Sequence, residues 1–146
     1  MARLHKSVAT LRISGEDLDP DRITEVLGCA PTHAQRKGDV FTSPTSGLSR
    51  TVKAGMWRLE ATDQEPEDLD GQIAELLSRL TPSLDVWRTL SERYQIDLFC
   101  GFFMQRTNEG LEVSAESLAA LGQRGIVLGM DIYAPTREDL ERGGGA

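Results

Sequence analysis

Residues Ile96–Met104 form the most apolar strand of the chain, and their side chains alternate. Ile96, Leu98, Cys100, Phe102 and Met104 fall on one face, Phe99 and Phe103 on the other. A period of two marks a β-strand rather than an amphipathic helix. The remaining chain must supply strands to pair with it and helices to cover it.

Three further segments read as strands. They are Ser7–Ile13, Gly55–Ala61 (with Trp57, Leu59 and Ala61 on one face) and Ile126–Tyr133. Between the first two, Gly38-Asp39 and Ser43-Pro44-Thr45-Ser46-Gly47 are turn chemistry, so His33–Lys37 and Arg50–Ala61 are expected to form a hairpin with a long loop.

Helix signals are punctuated clearly. Asp19 is the expected N-cap, with Pro20 in the first turn, Leu18 stapled onto Ile23, and Gly28 as the left-handed stop. The acidic run Asp63, Glu65, Glu67, Asp68 and Asp70 precedes a stripe of Leu69, Ile73, Leu76, Leu77 and Leu80, and carboxylates there favour the helix dipole. Thr81-Pro82 ends that helix, and Ser83 caps another carrying Leu84, Trp87, Leu90 and Tyr94. A fourth helix is expected to start at Ser114, with Val113 and Leu118 as a second staple, and to stop near Gly122 or Gly125.

Each end of the chain therefore reads strand, stapled helix, glycine stop, strand. The pattern predicts one α+β domain over residues 7–134, with a mixed, mostly antiparallel sheet, helices on one face and two βαβ-like halves in a ferredoxin-like plan. Residues 1–6 are expected to be flexible, and 135–146, ending Gly143-Gly144-Gly145-Ala146, to form a disordered tail.

In that order and spacing the pieces resemble the bacterial family known as domain of unknown function 4279. The residues that carry the likeness are Gly15-Glu16-Asp17-Leu18-Asp19-Pro20, Leu27-Gly28, Arg36-Lys37-Gly38-Asp39 and Gly55-Met56-Trp57-Arg58-Leu59. The leucine helix, the Leu98–Phe103 strand, Ser117-Leu118 to Leu121-Gly122 and Asp131-Ile132-Tyr133 complete the series. The resemblance implies a small bacterial cytoplasmic protein and carries over no catalytic residue.

Composition narrows the chemistry. The 146 residues carry a net charge of −7 and a pI of about 4.8, which argues against nucleic acid as the partner. No apolar run reaches the length of a membrane span, and no signal-peptide stretch opens the chain. Cys29 and Cys100 lack CxxC spacing and are expected to be reduced thiols. Asp17, Asp19 and Asp21 open like a calcium loop. However, Arg22 stands where the turn needs Gly, and Gly28 where a bidentate Glu is needed, so helix capping is the better reading and no metal site is expected. His5, His33, Cys29 and Cys100 form no zinc-ligand spacing. No nucleophile elbow, S-x-x-K or phosphate-binding loop occurs, so neither a catalytic residue nor a cofactor is assigned.

Two surfaces remain as candidates. Between Pro31 and Arg58 stand Arg36, Lys37, Arg50, Lys53 and Arg58 against Asp39 alone, a net of +4 that leaves −11 elsewhere. This basic hairpin suits an anionic ligand or an acidic partner, or it is simply a solvated loop. The second surface alternates Phe99, Gly101 and Phe103 with Val127, Gly129, Asp131 and Tyr133 on the neighbouring segment. Such a face is a dimerising or concave binding surface, with Trp57 and Arg58 beside it, or a second packing layer.

The expected function is a non-enzymatic binding or interaction domain using Arg36, Lys37, Trp57, Arg58, Phe99, Phe103, Asp131 and Tyr133, with a protein partner or its own copy as a homodimer. Toxin-neutralising immunity proteins share this size and acidity, by analogy only. A sensor of a small anionic ligand is the alternative, and a hydrolase-like enzyme the third.

Overall fold

The computed structural model describes residues 2–143. It is α+β, with a five-stranded sheet built on β1 (Lys6–Gly15). The strand order is β2-β5-β1-β6-β7, where β2 is His33–Gln35, β5 Gly55–Glu60, β6 Gln95–Phe103 and β7 Val127–Tyr133. All pairings are antiparallel except β6 with β7, so the sheet is mixed and mostly antiparallel. The register places Leu11 between Leu59 and Leu98, and Arg12 between Arg58 and Asp97.

Alternation along β1 decides where the core lies. Ser7, Ala9, Leu11 and Ile13 are buried, whereas Lys6, Val8, Thr10 and Arg12 are only partly covered. The buried side continues through Trp57 and Leu59 on β5 and Leu98, Cys100 and Phe102 on β6. Helices α1 (Pro20–Leu27), α2 (Leu69–Ser78), α3 (Leu84–Arg93) and α4 (Ala115–Gln123) supply Ile23, Leu27, Ile73, Leu76, Trp87 and Leu121 to the same core. Burying side chains of this kind contributes about 1.5–3 kcal/mol each.

The helices begin where their caps dictate. Asp19 accepts the Asp21 N–H, Pro20 occupies the first turn, and Gly28 closes α1 at φ 78° by donating its N–H to the Thr24 carbonyl. Asp68, Ser83 and Ser114 cap α2, α3 and α4. The acidic run before α2 proves specific as well as electrostatic. Glu67 accepts the Leu69 N–H, Asp68 caps, and Asp70 accepts the Ser114 N–H and Ser117 hydroxyl, tying α2 to α4. A buried polar node fixes α2 to the sheet: Ser7 donates to Gln72 Oε1 at 2.7 Å, while Gln72 Nε2 donates to the carbonyls of Ser7 and Thr62.

Several expectations change. The hairpin of β2 and β5 forms, but its long connection folds into a separate ribbon of β3 (Val40–Thr42) and β4 (Ser49–Thr51). The two ends differ in construction: β6 and β7 are neighbours, whereas β5 lies between β1 and β2. Leu118 is half-exposed. Residues 2–6 are anchored rather than free, since Leu4 is buried and its N–H bonds the Gly110 carbonyl. Within the expected tail, Arg137–Gly143 forms a short exposed helix, α5. The reason is a missed reciprocal cap, in which Thr136 and Asp139 exchange hydrogen bonds in the S/T-x-x-D/E pattern. The rest of that tail lies outside the described residues.

Gly55 marks the tightest approach of the β1–α1 turn to the sheet, because a Cβ there would lie 2.4 Å from the Leu18 carbonyl oxygen. At Gly122 in α4 a Cβ meets nothing. Gly55→Ala should therefore destabilise by about 1–3 kcal/mol, through forced backbone movement. Gly122→Ala should stabilise by about 0.4–1 kcal/mol. Urea denaturation of both variants checks the opposite signs.

Candidate functional site

The sheet face opposite the helices collects the side chains that alternate away from the core. From β1 come Lys6, Thr10 and Arg12, from β5 Met56 and Arg58, from β6 Asp97, Phe99 and Phe103, and from β7 Asp131 and Tyr133. Two features give this face rigidity. Phe103 and Tyr133, paired in register, stack with ring centroids 4.7 Å apart and planes 10° from parallel. Arg12 holds Asp97 in a two-pronged pair at 2.8 and 2.6 Å, and its guanidinium lies 4.5 Å from the centre of the Phe99 ring. The Asp97 bonds, outweighing partial burial, push the Arg12 pKa up, so the charge is fixed in place.

Gly101 on β6 and Gly129 on β7 lie beside these rings. A Cβ at Gly101 would touch Phe103 at 3.5 Å and Tyr133 at 3.8 Å, so both rings lean over it. At Gly129 a Cβ would meet the Phe99 ring at 4.0 Å. Tyr133 donates its hydroxyl to Asp131 Oδ2 at 2.8 Å, and that bond and the carboxylate charge push the phenol above its ordinary pKa. Beside Arg12 and Asp97 an open groove of about 520 Å³ runs past Ser14, Met56, Tyr94 and Val127.

The structure thus brings Phe99, Phe103, Asp131, Tyr133 and Arg58 onto one face. It does not bring Arg36, Lys37 or Trp57 there. Trp57 is a core residue with no exposure, and its indole N–H donates to the Thr24 hydroxyl. Because it alternates with Arg58, it belongs to the helix side.

Arg36 is committed to Asp19 at 2.7 Å and Asp21 at 2.6 Å, and its backbone N–H to Asp39. Lys37 is paired with Glu16 at 2.6 Å. The Arg36 bond holds the Asp19 carboxyl below the usual carboxylate range, and Arg93 does the same for Asp17. The three aspartates of the apparent calcium loop are thus cap and ion-pair partners.

Arg50 and Arg58 behave differently. Among the described residues neither has a carboxylate within 4.0 Å, and with His33, Phe41 and Met56 they line a hollow of about 190 Å³ under the β3–β4 ribbon. Cys29 and Cys100 are both free thiols; burial, with a smaller effect from Asp97, pushes the Cys100 thiol up to about 12. His33 faces Glu60 at 3.8 Å and His5 faces Glu65 at 3.9 Å. Among the described residues no group of three His, Cys, Asp or Glu is placed to hold a metal ion, and no helix is long and apolar enough to cross a membrane.

Sequence reasoning missed Arg12 and Asp97. The available signal was their alternation with Leu11, Ile13, Ile96 and Leu98, which puts a charged pair on the face already marked by Phe99.

The Tyr133–Asp131 contact has a pH signature. The hydrogen bond favours the neutral phenol, so the contact persists below the ordinary tyrosine pKa and is lost as pH rises through the raised one. In a Tyr94→Phe background, tyrosinate absorbance should appear at higher pH than in the same protein carrying Asp131→Asn. Superimposable titrations would show that the contact does not form.

The chain belongs to the family described as Domain of unknown function (DUF4279), whose model matches residues 4–135, a span that takes in every element from β1 to β7. No curated protein and no solved structure matches it.

Proposed function

We propose that this family member is a non-enzymatic binding domain of the bacterial cytoplasm that takes a protein partner on the open face of its sheet. The observation that carries the reading is the Phe103–Tyr133 stack, 37% and 45% exposed, held on the same face as the Arg12–Asp97 pair. Stacked rings on a strand lose little side-chain entropy when a partner covers them, and aromatic and arginine side chains dominate interface energetics. The rings offer an apolar anchor point, and Arg58 offers a cation to a carboxylate on the same partner. Arg36 and Lys37 drop out, because their charge is answered within the chain.

A second reading, a small anionic ligand, is favoured by one observation. Arg50 and Arg58 flank a hollow without a carboxylate partner among the described residues.

Selection from a random peptide library on the immobilised protein tests the first reading. Enriched peptides should bind wild type at least tenfold more tightly than a Phe103→Asp/Tyr133→Ala variant of unchanged circular dichroism. Peptides that ignore those substitutions would overturn it. A rise in Tm with phosphate or a dicarboxylate that disappears in Arg58→Glu would support the second.

A further inference from the structure

The free edge of the sheet at β7 carries information separate from the open face. Edge strands in natural proteins are blunted by lysines, prolines, bulges or shortness, because their unpaired backbone groups template association. The opposite edge, β2, is three residues long. By contrast, β7 runs for seven residues, V-L-G-M-D-I-Y, without Lys or Pro, and its one charge, Asp131, is engaged by Tyr133. Val127, Met130 and Ile132 are 65%, 54% and 56% exposed.

The direction of its hydrogen bonds can be assigned. The Tyr133 carbonyl accepts the Met104 N–H at 3.0 Å, toward β6. Backbone polar groups alternate sides along a strand, so those of Val127, Gly129 and Asp131 also face β6. Those of Leu128, Met130 and Ile132 then face outward, and among the described residues no other segment bonds to them.

We propose that this edge pairs with the β7 edge of a second copy of the chain, antiparallel about a two-fold axis at Met130. With that centre the whole strand overlaps. Leu128 lies opposite the partner's Ile132, Val127 opposite the partner's Tyr133, and Met130 opposite the partner's Met130. The outward-facing residues then exchange both of their backbone bonds.

Asp131 falls opposite the partner's Gly129. Centring the axis on Asp131 instead would set two carboxylates directly against each other, which is unfavourable. A centre at Gly129 shortens the overlap and leaves Ile132 uncovered. In a chain of net charge −7, β7 is also a place where two copies meet with little like-charge repulsion. A strand-addition interface of this length lies at the small end of specific interfaces, below about 1,200 Å², so the dimer is reversible. It would join two sheets into one and place two open faces side by side. The pairing uses the backbone edge of β7, and of the proposed partner face only Asp131 and Tyr133 lie on that strand.

Light scattering and sedimentation equilibrium up to about 1 mM protein test it. Wild type should rise toward twice the 16.1 kDa of one chain. Met130→Lys, at a half-exposed position, should keep its circular dichroism and raise the dimer Kd at least tenfold. Met130→Pro, which removes an outward N–H while leaving the β6 ladder in place, should do the same. Phe103→Asp should leave the dimer intact, which separates this edge from the open face. A wild type that stays monomeric throughout, leaving the edge to a foreign strand, would overturn the proposal. So would a dimer that survives both Met130 variants or dissociates with Phe103→Asp alone.

Discussion

The structure depends on the alternation of β1. It is the middle strand, antiparallel to both neighbours, and each of its residues is committed to one side. Ala9, Leu11 and Ile13 require cover, and the four helices α1 to α4 supply it. Thr10 and Arg12 require none. A slip of one residue would send Arg12 into the core and Leu11 into water, so the register is strongly specified. The Ser7–Gln72 node reinforces it, because a buried amide left without its three partners would be costly. Everything on the open face inherits its position from this choice.

Electrostatics redistribute what the linear charge pattern suggests. A basic segment against an acidic remainder reads as a surface awaiting an anion. Folding brings Arg36 and Lys37 of that segment against Glu16 and Asp19 of the β1–α1 connection and Asp21 in the first turn of α1. These exposed pairs contribute little stability individually. Their effect is to hold the hairpin to the first helix and to neutralise the charge that looked available. Lys6, Arg12, Arg50 and Arg58 are cations of the open face and its rim, with Arg12 held there by Asp97 and Lys6 paired with Asp63.

Much of this was legible in the sequence because the signals are local. The Asp19-Pro20 start, the Gly28 stop, the Ser83 and Ser114 caps and the alternation of Ile96–Met104 need only neighbouring residues to be read. The paired Phe103 and Tyr133 were legible as sharing a face, since parity along two strands is enough. What failed was non-local or used a weaker form of a known motif. Trp57 is aromatic and next to Arg58, yet adjacency in a strand means opposite faces. The pairing of Arg36 with Asp19 joins residues 17 apart. The α5 cap uses Asp139 where glutamate is commoner. The strand order, with β5 inserted between β1 and β2, has no local signature.

Helices cover one side of the central sheet and leave the other to solvent, a difference that side-chain NMR with a neutral paramagnetic chelate confined to water reads out. Relaxation should be enhanced at the Thr10 methyl and the Phe103 and Tyr133 rings, and should remain nearly unchanged at Ala9, Leu11 and Phe102. Equal shielding of the two sets would contradict one-sided cover, because a second layer would then lie over the face on which the proposed binding function rests.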